Sequence, residues 1–343
     1  MLETKFSSFV TNPLVSILIN NYNYGQFLGE AIDSALNQTY SNVEVIVVDD
    51  GSTDNSPNVI SGYGDRIISI FKENGGQASA FNAGFLASKG EIICILDSDD
   101  AFDRTKVEKI LEIFQLNSDI GWCYHPLKLL DYSKNTVIRS DPDGISSHKV
   151  DFRQQVRQGK LPYFVPATSG LCFQRSLLQQ LLPMPVAQKI SLGDHYIKFT
   201  ALALSSGYFL NEDLAIQKVH ENNAFTLDFF HGNKKQVEAR ILTLTAYWMR
   251  NKFPVTLNFA NKIFGIGLGI YWQTGGIEPG SKSSIEEYLS NTSVIEKIEI
   301  YLRAYYHANP LFLSIRRFRL LRDLQRVKII ADAEEHSTAT TPI

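Results

Sequence analysis

With 343 residues, 44% of them hydrophobic and 20% charged, the chain can build one large α/β domain plus a smaller appendage, and a formal net charge of −3 gives no global case for nucleic-acid binding. Cys94, Cys123 and Cys172 lie in apolar runs without paired or metal-ligand spacing, which predicts buried free thiols in a reducing cytosol. No stretch reaches about 18 uninterrupted apolar residues, and the N-terminus lacks a basic region followed by an apolar core, so neither a spanning helix nor a signal peptide is expected.

Residues 1–13 read as a loose leader ending at Pro13. Val15–Ile19 is a first buried strand running into Asn20-Asn21-Tyr22-Asn23-Tyr24-Gly25, and Gln26–Asn37 carries Phe27, Leu28, Ala31, Ile32, Ala35 and Leu36 at helical spacing. Val43–Val48 is a second strand ending in Asp49-Asp50-Gly51-Ser52. Ser56-Pro57 then reads as an N-cap with proline at the first helical position. Ile67–Phe71 predicts a third strand, and Gln77–Ser88 a helix whose small residues allow close packing. In Gly90–Asp100 the apolar run Ile92–Leu96 suits a strand covered on both faces; it ends in Asp97, Asp99 and Asp100, before a helix over Arg104–Leu116.

Four strand–helix alternations predict a mostly parallel sheet with helices on both faces. Such sheets present ligand-binding residues at the carboxyl ends of their strands, and here the second and fourth strands both end in paired acids. Crowded carboxylates need a cation or hydrogen-bond donors, and hard oxygen ligands suit Mg²⁺ or Mn²⁺ carrying a phosphate. The alternative is a polar turn capping the next helix. No dinucleotide G-x-G-x-x-G follows the first strand, and no phosphate-binding G-x-x-x-x-G-K-[ST] occurs anywhere.

Val15–Asn23, Val45–Asn55, Asn74–Gly84 and Gly90–Asp100, in that order and spacing, resemble the family 2 glycosyltransferases over roughly residues 13–225. The resemblance implies a glycosyltransferase type A fold, a Rossmann-like mixed sheet, with a nucleotide-sugar donor (UDP-linked by preference) and a divalent metal. It puts Asn20 and Tyr22 near the base, with Asp50 accepting a hydrogen bond from it. Asp97, Ser98 and Asp99 match the family's Asp-x-Asp motif, Asp97 toward the ribose or sugar and Asp99 on the metal. Asn82 and Gly84 match the third motif, but Phe81 stands where the family often has arginine. From spacing alone Asp194, opening a helix, reads as a helix cap; the resemblance instead matches it to the catalytic base, with Gly193 in place of the acid that usually precedes it. His220, near the end of Leu214–Asn223, is a candidate for the metal shell or the diphosphate, against the reading as a hydrogen-bonded surface histidine, and Lys218 is a weaker phosphate candidate.

Gly121–His125 and Thr136–Arg139 suggest an antiparallel edge, Ser140–Lys160 has no clear period, and Thr168–Phe173 followed by Gln174-Arg175 resembles a family segment that borders the acceptor, against the reading as a buried strand entering a helix over Ser176–Leu182. Beyond about residue 230 the resemblance fades into helices over Lys234–Lys252, Val255–Trp272, Ser283–His307 and Asn309–Ile330, which divides the chain into a catalytic domain (1–230) and a helical C-terminal region (231–343) with a polar tail. Residues 311–328 can share an apolar face beside six bases, suited either to an anionic membrane surface or to packing on the domain. The leading expectation is a metal-dependent inverting transferase acting on a saccharide or lipid-linked saccharide in polysaccharide or surface-glycan synthesis. It would work in the cytoplasm, near the inner membrane face, with the helical region a possible homodimer surface. A phosphohydrolase or nucleotidyltransferase is a second class, and a non-catalytic nucleotide-sugar-binding or assembly protein a third, kept open by Gly193 and Phe81.

Overall fold

The computed structural model describes residues 12–140, 146–160, 166–185, 193–220, 223 and 232–312. These fall into two compact units: 12–140, 147–153 and 166–223 in the first, and 146, 154–160 and 232–312 in the second.

The first unit runs β1 (Val15–Asn21), α1 (Gly25–Leu36), β2 (Val43–Asp49), α2 (Ser56–Ser61), β3 (Ile68–Phe71), α3 (Gln77–Ala87), β4 (Ile92–Asp97), β5 (Ala101–Phe102), α4 (Lys106–Leu116), β6 (Trp122–Tyr124), β7 (Lys128–Asp131), β8 (Thr136–Ser140) and β9 (His148–Val150). A short helix, α5 (Arg153–Arg157), carries the chain into the second unit. β10 (Leu171–Gln174), α6 (Arg175–Leu181), α7 (Asp194–Leu204), β11 (Gly207–Phe209) and β12 (Ala215–Val219) then complete the first.

The main sheet has the order β3-β2-β1-β4-β10-β6-β11-β9. β3, β2, β1 and β4 are parallel, β10 is antiparallel to both β4 and β6, and β11 is parallel to β6. The uninterrupted apolar runs of β1, β2 and β4 are buried on both faces, as a sheet covered by helices requires. On one face lie Leu28, Ala31 and Ile32 of α1 with Val107, Ile110 and Phe114 of α4. α3 comes so close that a Cβ on Gly84 would meet the Val48 side chain at 3.2 Å, which explains its small residues. Cys94, Cys172 and Cys123 stand side by side on β4, β10 and β6, buried and unpaired. A second sheet, β5-β12-β7-β8, brings the segment after β4 beside β12.

Some expectations change. Gly121–His125 contributes β6, an interior strand rather than an edge, because β10 and β11 flank it; the Thr136 strand, β8, does lie at an edge, of the second sheet. The aperiodic stretch before Lys160 holds β9 and α5, too short to show a period.

In the second unit the helices are α8 (Gly232–Lys252), α9 (Leu257–Gln273), α10 (Lys282–Ser290) and α11 (Val294–Ala308). The single helix expected over Ser283–His307 is two. Ser293 starts α11 with a capping box, its side chain accepting from Glu296 N–H (3.3 Å) while Glu296 accepts from Ser293 N–H (2.8 Å). Glycines let α9 approach both neighbours: Gly267 lies against Ala239 of α8 and Gly269 against Ala304 of α11. From the helix expected over Asn309–Ile330, Asn309 ends α11 and Pro310–Phe312 form a single tight turn; the remainder of 311–328 lies outside the described residues. Among the described residues no helix is long and apolar enough to cross a membrane.

Candidate active site

The carboxyl ends of β1, β2 and β4 meet on one side of the sheet, with Asn20 of β1 directly opposite Asp97 of β4. At the end of β2, Asp49 accepts from Asn21 Nδ2 (2.8 Å), Ser52 Oγ (2.6 Å) and Ser52 N–H (3.1 Å). Asp50 accepts from Lys72 Nζ (2.5 Å) and Gly75 N–H (3.0 Å) on Oδ1, and from Gly76 N–H (2.7 Å) on Oδ2. One lone-pair direction on Oδ2 remains for a ligand. Above these turns Tyr22 is 47% exposed, an open aromatic face rather than a core residue. Asn20 is the reverse case: both amide atoms are buried, with no hydrogen-bond partner among the described residues. A buried amide left unpaired costs roughly 1–3 kcal/mol, which marks it as waiting for a ligand or water.

The end of β4 is poorer in donors. Ser169, just before β10, ties its turn: it accepts from Asp97 N–H (3.0 Å), donates to Asp100 Oδ2 (2.6 Å), and its carbonyl accepts from the buried Lys106 ammonium (2.6 Å). Asp100 also accepts from Lys218 N–H (3.3 Å), so it is an anchor of the turn. Burial, then the charges of Asp99 and Asp194, push the Asp97 carboxyl up to about 8. Burial, then Asp99 and Asp97, push Asp100 well above the usual range. Ser98 is buried between them. The Lys218 side chain, weighed as a phosphate contact, is buried and pairs with Glu30 of α1 at 2.7 Å.

Asp99 Oδ2 lies 3.3 Å from His220 Nε2, although 121 residues separate them. Asn223 holds both: its Nδ2 donates to Asp99 Oδ2 (3.1 Å) and its Oδ1 accepts from His220 N–H (2.5 Å). The His220 ring stacks on Phe27 (centroids 4.4 Å apart, 19° between planes). Tyr24 completes the wall; its hydroxyl is pushed far up by burial, then by Asp99, Asp97 and Asp100. One carboxylate oxygen and one imidazole nitrogen at this separation are close to the ~3 Å between adjacent ligands of an octahedral divalent cation. No cluster of three or more His, Cys, Asp or Glu among the described residues could hold a metal by itself. The pair therefore fits an ion that takes its other ligands from phosphate and water, the usual habit of Mg²⁺. Tyr24 and Asn223 carried no motif of their own; the only signals were the doubled Asn-Tyr of residues 21–24 and an amide three residues past His220.

Asp194 is buried at the first turn of α7. Its Oδ2 pairs with Lys198 Nζ at 2.7 Å, and its Oδ1 meets the backbone N–H (2.8 Å) and Nδ1 (3.1 Å) of His195. Burial opposes ionisation, but Lys198 and then His195 outweigh it and hold the carboxyl far below the ordinary range. Gly193 has a steric cause: a Cβ there would meet Met184 Cε at 2.9 Å and the backbone of Ala78 at 3.2 Å, so α3 leaves no room for an acid. Phe81 points into the core. Asn82, expected at the donor, has both polar ends on Met184, Nδ2 donating to its carbonyl (2.8 Å) and Oδ1 accepting its N–H (2.7 Å); here it ties α3 to the segment after α6.

A mixed sheet of this order, with acids at the ends of β2 and β4, is a glycosyltransferase type A fold. S. aureus TarS 1–349 in complex with UDP superposes with a TM-score of 0.56 at 14% identity, over 94% of this chain and 92% of that one. The mannosyltransferase PcManGT from Pyrobaculum calidifontis, in complex with GDP-Man and Mn²⁺, gives 0.50 at 17% identity, over 94% and 86%. Residues 16–182 match the family model described as "Glycosyl transferase family 2". An uncharacterized glycosyltransferase of Nostoc sp. is 37% identical over 214 residues, 61% of this chain and 66% of that protein, so the chain spans just under two thirds of this relative. By these matches residues 16–182 are similar to the family 2 glycosyltransferases.

Proposed function

We propose that the chain transfers a sugar from a nucleotide-sugar, UDP-linked by preference, to a hydroxyl of a saccharide or lipid-linked saccharide, with inversion and with Mg²⁺ or Mn²⁺. The observation that carries this reading is the juxtaposition of Asp99 and His220 at 3.3 Å, with Asn20, whose amide has no partner among the described residues, opposite Asp97 at the strand ends where this fold binds ligands. Tyr22 offers its exposed face to the base, and Asp50 its remaining lone pair to a base N–H. Asp97 and Ser98 would face the ribose or sugar, and Asp99 and His220 would hold the cation. A divalent ion there would neutralise charge developing on the leaving diphosphate. Asp194 takes the acceptor proton as the acceptor oxygen bonds to the anomeric carbon; the bond to the diphosphate oxygen breaks, its electron pair leaving with the nucleotide. A single displacement inverts the centre.

We place this chemistry in residues 1–230, with 231–343 as a helical region suited to a second copy or, through 311–328, to the inner face of a membrane in polysaccharide or surface-glycan synthesis. Calorimetric titration of UDP, GDP and dTDP, each with Mn²⁺ and with EDTA, tests the donor site. The expected result is UDP binding that weakens at least tenfold in EDTA and in Asp99→Ala. If no nucleotide binds with the metal present, the transferase reading fails and a scaffold that kept the fold takes its place.

A further inference from the structure

We propose that Lys198 is a positioning residue for Asp194: its ammonium keeps that carboxylate ionised and fixes which lone pair meets the acceptor. The inference rests on the base assignment above, and the observation behind it is geometric. Lys198 sits one helical turn after Asp194, and both side chains are only 7% exposed. Its Nζ lies 2.7 Å from Asp194 Oδ2 and donates to the Pro166 carbonyl (3.2 Å), so it is held from two sides.

Of the four lone-pair directions of the Asp194 carboxylate, two on Oδ1 face the N–H and Nδ1 of His195, and one on Oδ2 faces Lys198. One direction on Oδ2 is left for an acceptor hydroxyl. The groups facing Asp194 are His195 and Lys198 on its own helix, Asp97 from β4 and Tyr124 from β6. Burial and the neighbouring Asp97 both favour a protonated acid, which cannot accept a proton; Lys198 is the full cation opposing them. The sequence held a signal for this pair, an Asp-x-x-x-Lys step in which the lysine interrupts an otherwise apolar helix face.

The test needs no substrate. Full-length protein labelled with ¹³Cγ-aspartate is titrated by NMR, and the Asp194 resonance is identified by its loss in Asp194→Asn. In the wild type it is expected not to titrate above pH 4.5. In Lys198→Met it should titrate at least two pH units higher, and Lys198→Arg should restore wild-type behaviour. A wild-type resonance titrating near neutrality overturns the proposal even if Lys198→Met does not fold, as does a folded Lys198→Met with an unmoved resonance. Failure of nucleotide binding in calorimetry would instead remove the transferase reading and leave this result standing.

Discussion

The ends of β2 and β4 look alike in sequence, Asp49-Asp50 in one and Asp97-Ser98-Asp99-Asp100 in the other, yet they are built oppositely. Six donors converge on the β2 pair: Asn21, the hydroxyl and N–H of Ser52, Lys72, Gly75 and Gly76. Around the three β4 acids the donors are fewer, Thr168 to Asp97, Ser169 and Lys218 N–H to Asp100, and Asn223 to Asp99, while burial and mutual repulsion drive Asp97 and Asp100 upward. Acids saturated with donors shape a loop. Acids short of donors are where a cation lowers the free energy most.

That contrast is sharpest in paired substitutions. Asp99→Asn should leave the fold intact and reduce turnover of the Mn²⁺-supported reaction on the order of 10³-fold, the loss of several kcal/mol expected when a metal's charge stabilisation is removed. Nucleotide release from the donor, followed at saturating Mn²⁺, checks it. Asp50→Ala should act on the fold as well as on the base contact, costing about 2–3 kcal/mol of stability because two glycine N–H groups and Lys72 lose their acceptor. A shifted urea midpoint measures it. Equal destabilisation by both substitutions would dissolve the distinction.

The pH dependence of stability separates the two ends more gently. Asp97 has a folded value of about 8 against about 3.9 when unfolded, so between those limits the folded state binds more protons. Its contribution is present at low pH and lost as the pH rises through about 8, and Asp100 acts in the same direction. Asp194 is shifted the other way and titrates below this window. In EDTA the melting temperature should therefore fall between pH 6 and pH 8.5, and Asp97→Asn should flatten that fall.

What could be read beforehand follows from how each feature is encoded. β1, β2 and β4 were legible because burial on both faces demands continuous apolar runs, and the acids at their ends break those runs abruptly. The split between α10 and α11 was written as Ser293-Val-Ile-Glu296, but apolar periodicity on both sides of it suggested one helix. Asp99 and His220 were brought to one metal only by the resemblance, and Asn223 and Tyr24 were not legible beside them, because β12 reaches the end of β4 only through the second sheet. Asn82 matched a motif letter, but the letter is silent about whether the amide faces a ligand or a neighbouring loop.

Asn82 is the smallest test of the same distinction. Its amide is satisfied at both ends by one backbone unit, so Asn82→Ala removes two hydrogen bonds and leaves the N–H and carbonyl of Met184 to find water. Asn82 is partly exposed, so relaxation should limit the loss to about 1 kcal/mol. As part of the scaffold, it should lower the melting temperature slightly and leave the UDP dissociation constant in Mn²⁺ within twofold of wild type. A drop in UDP affinity of tenfold or more with an unchanged melting temperature would move Asn82 to the donor, and would mean that the Met184 segment rearranges when nucleotide binds.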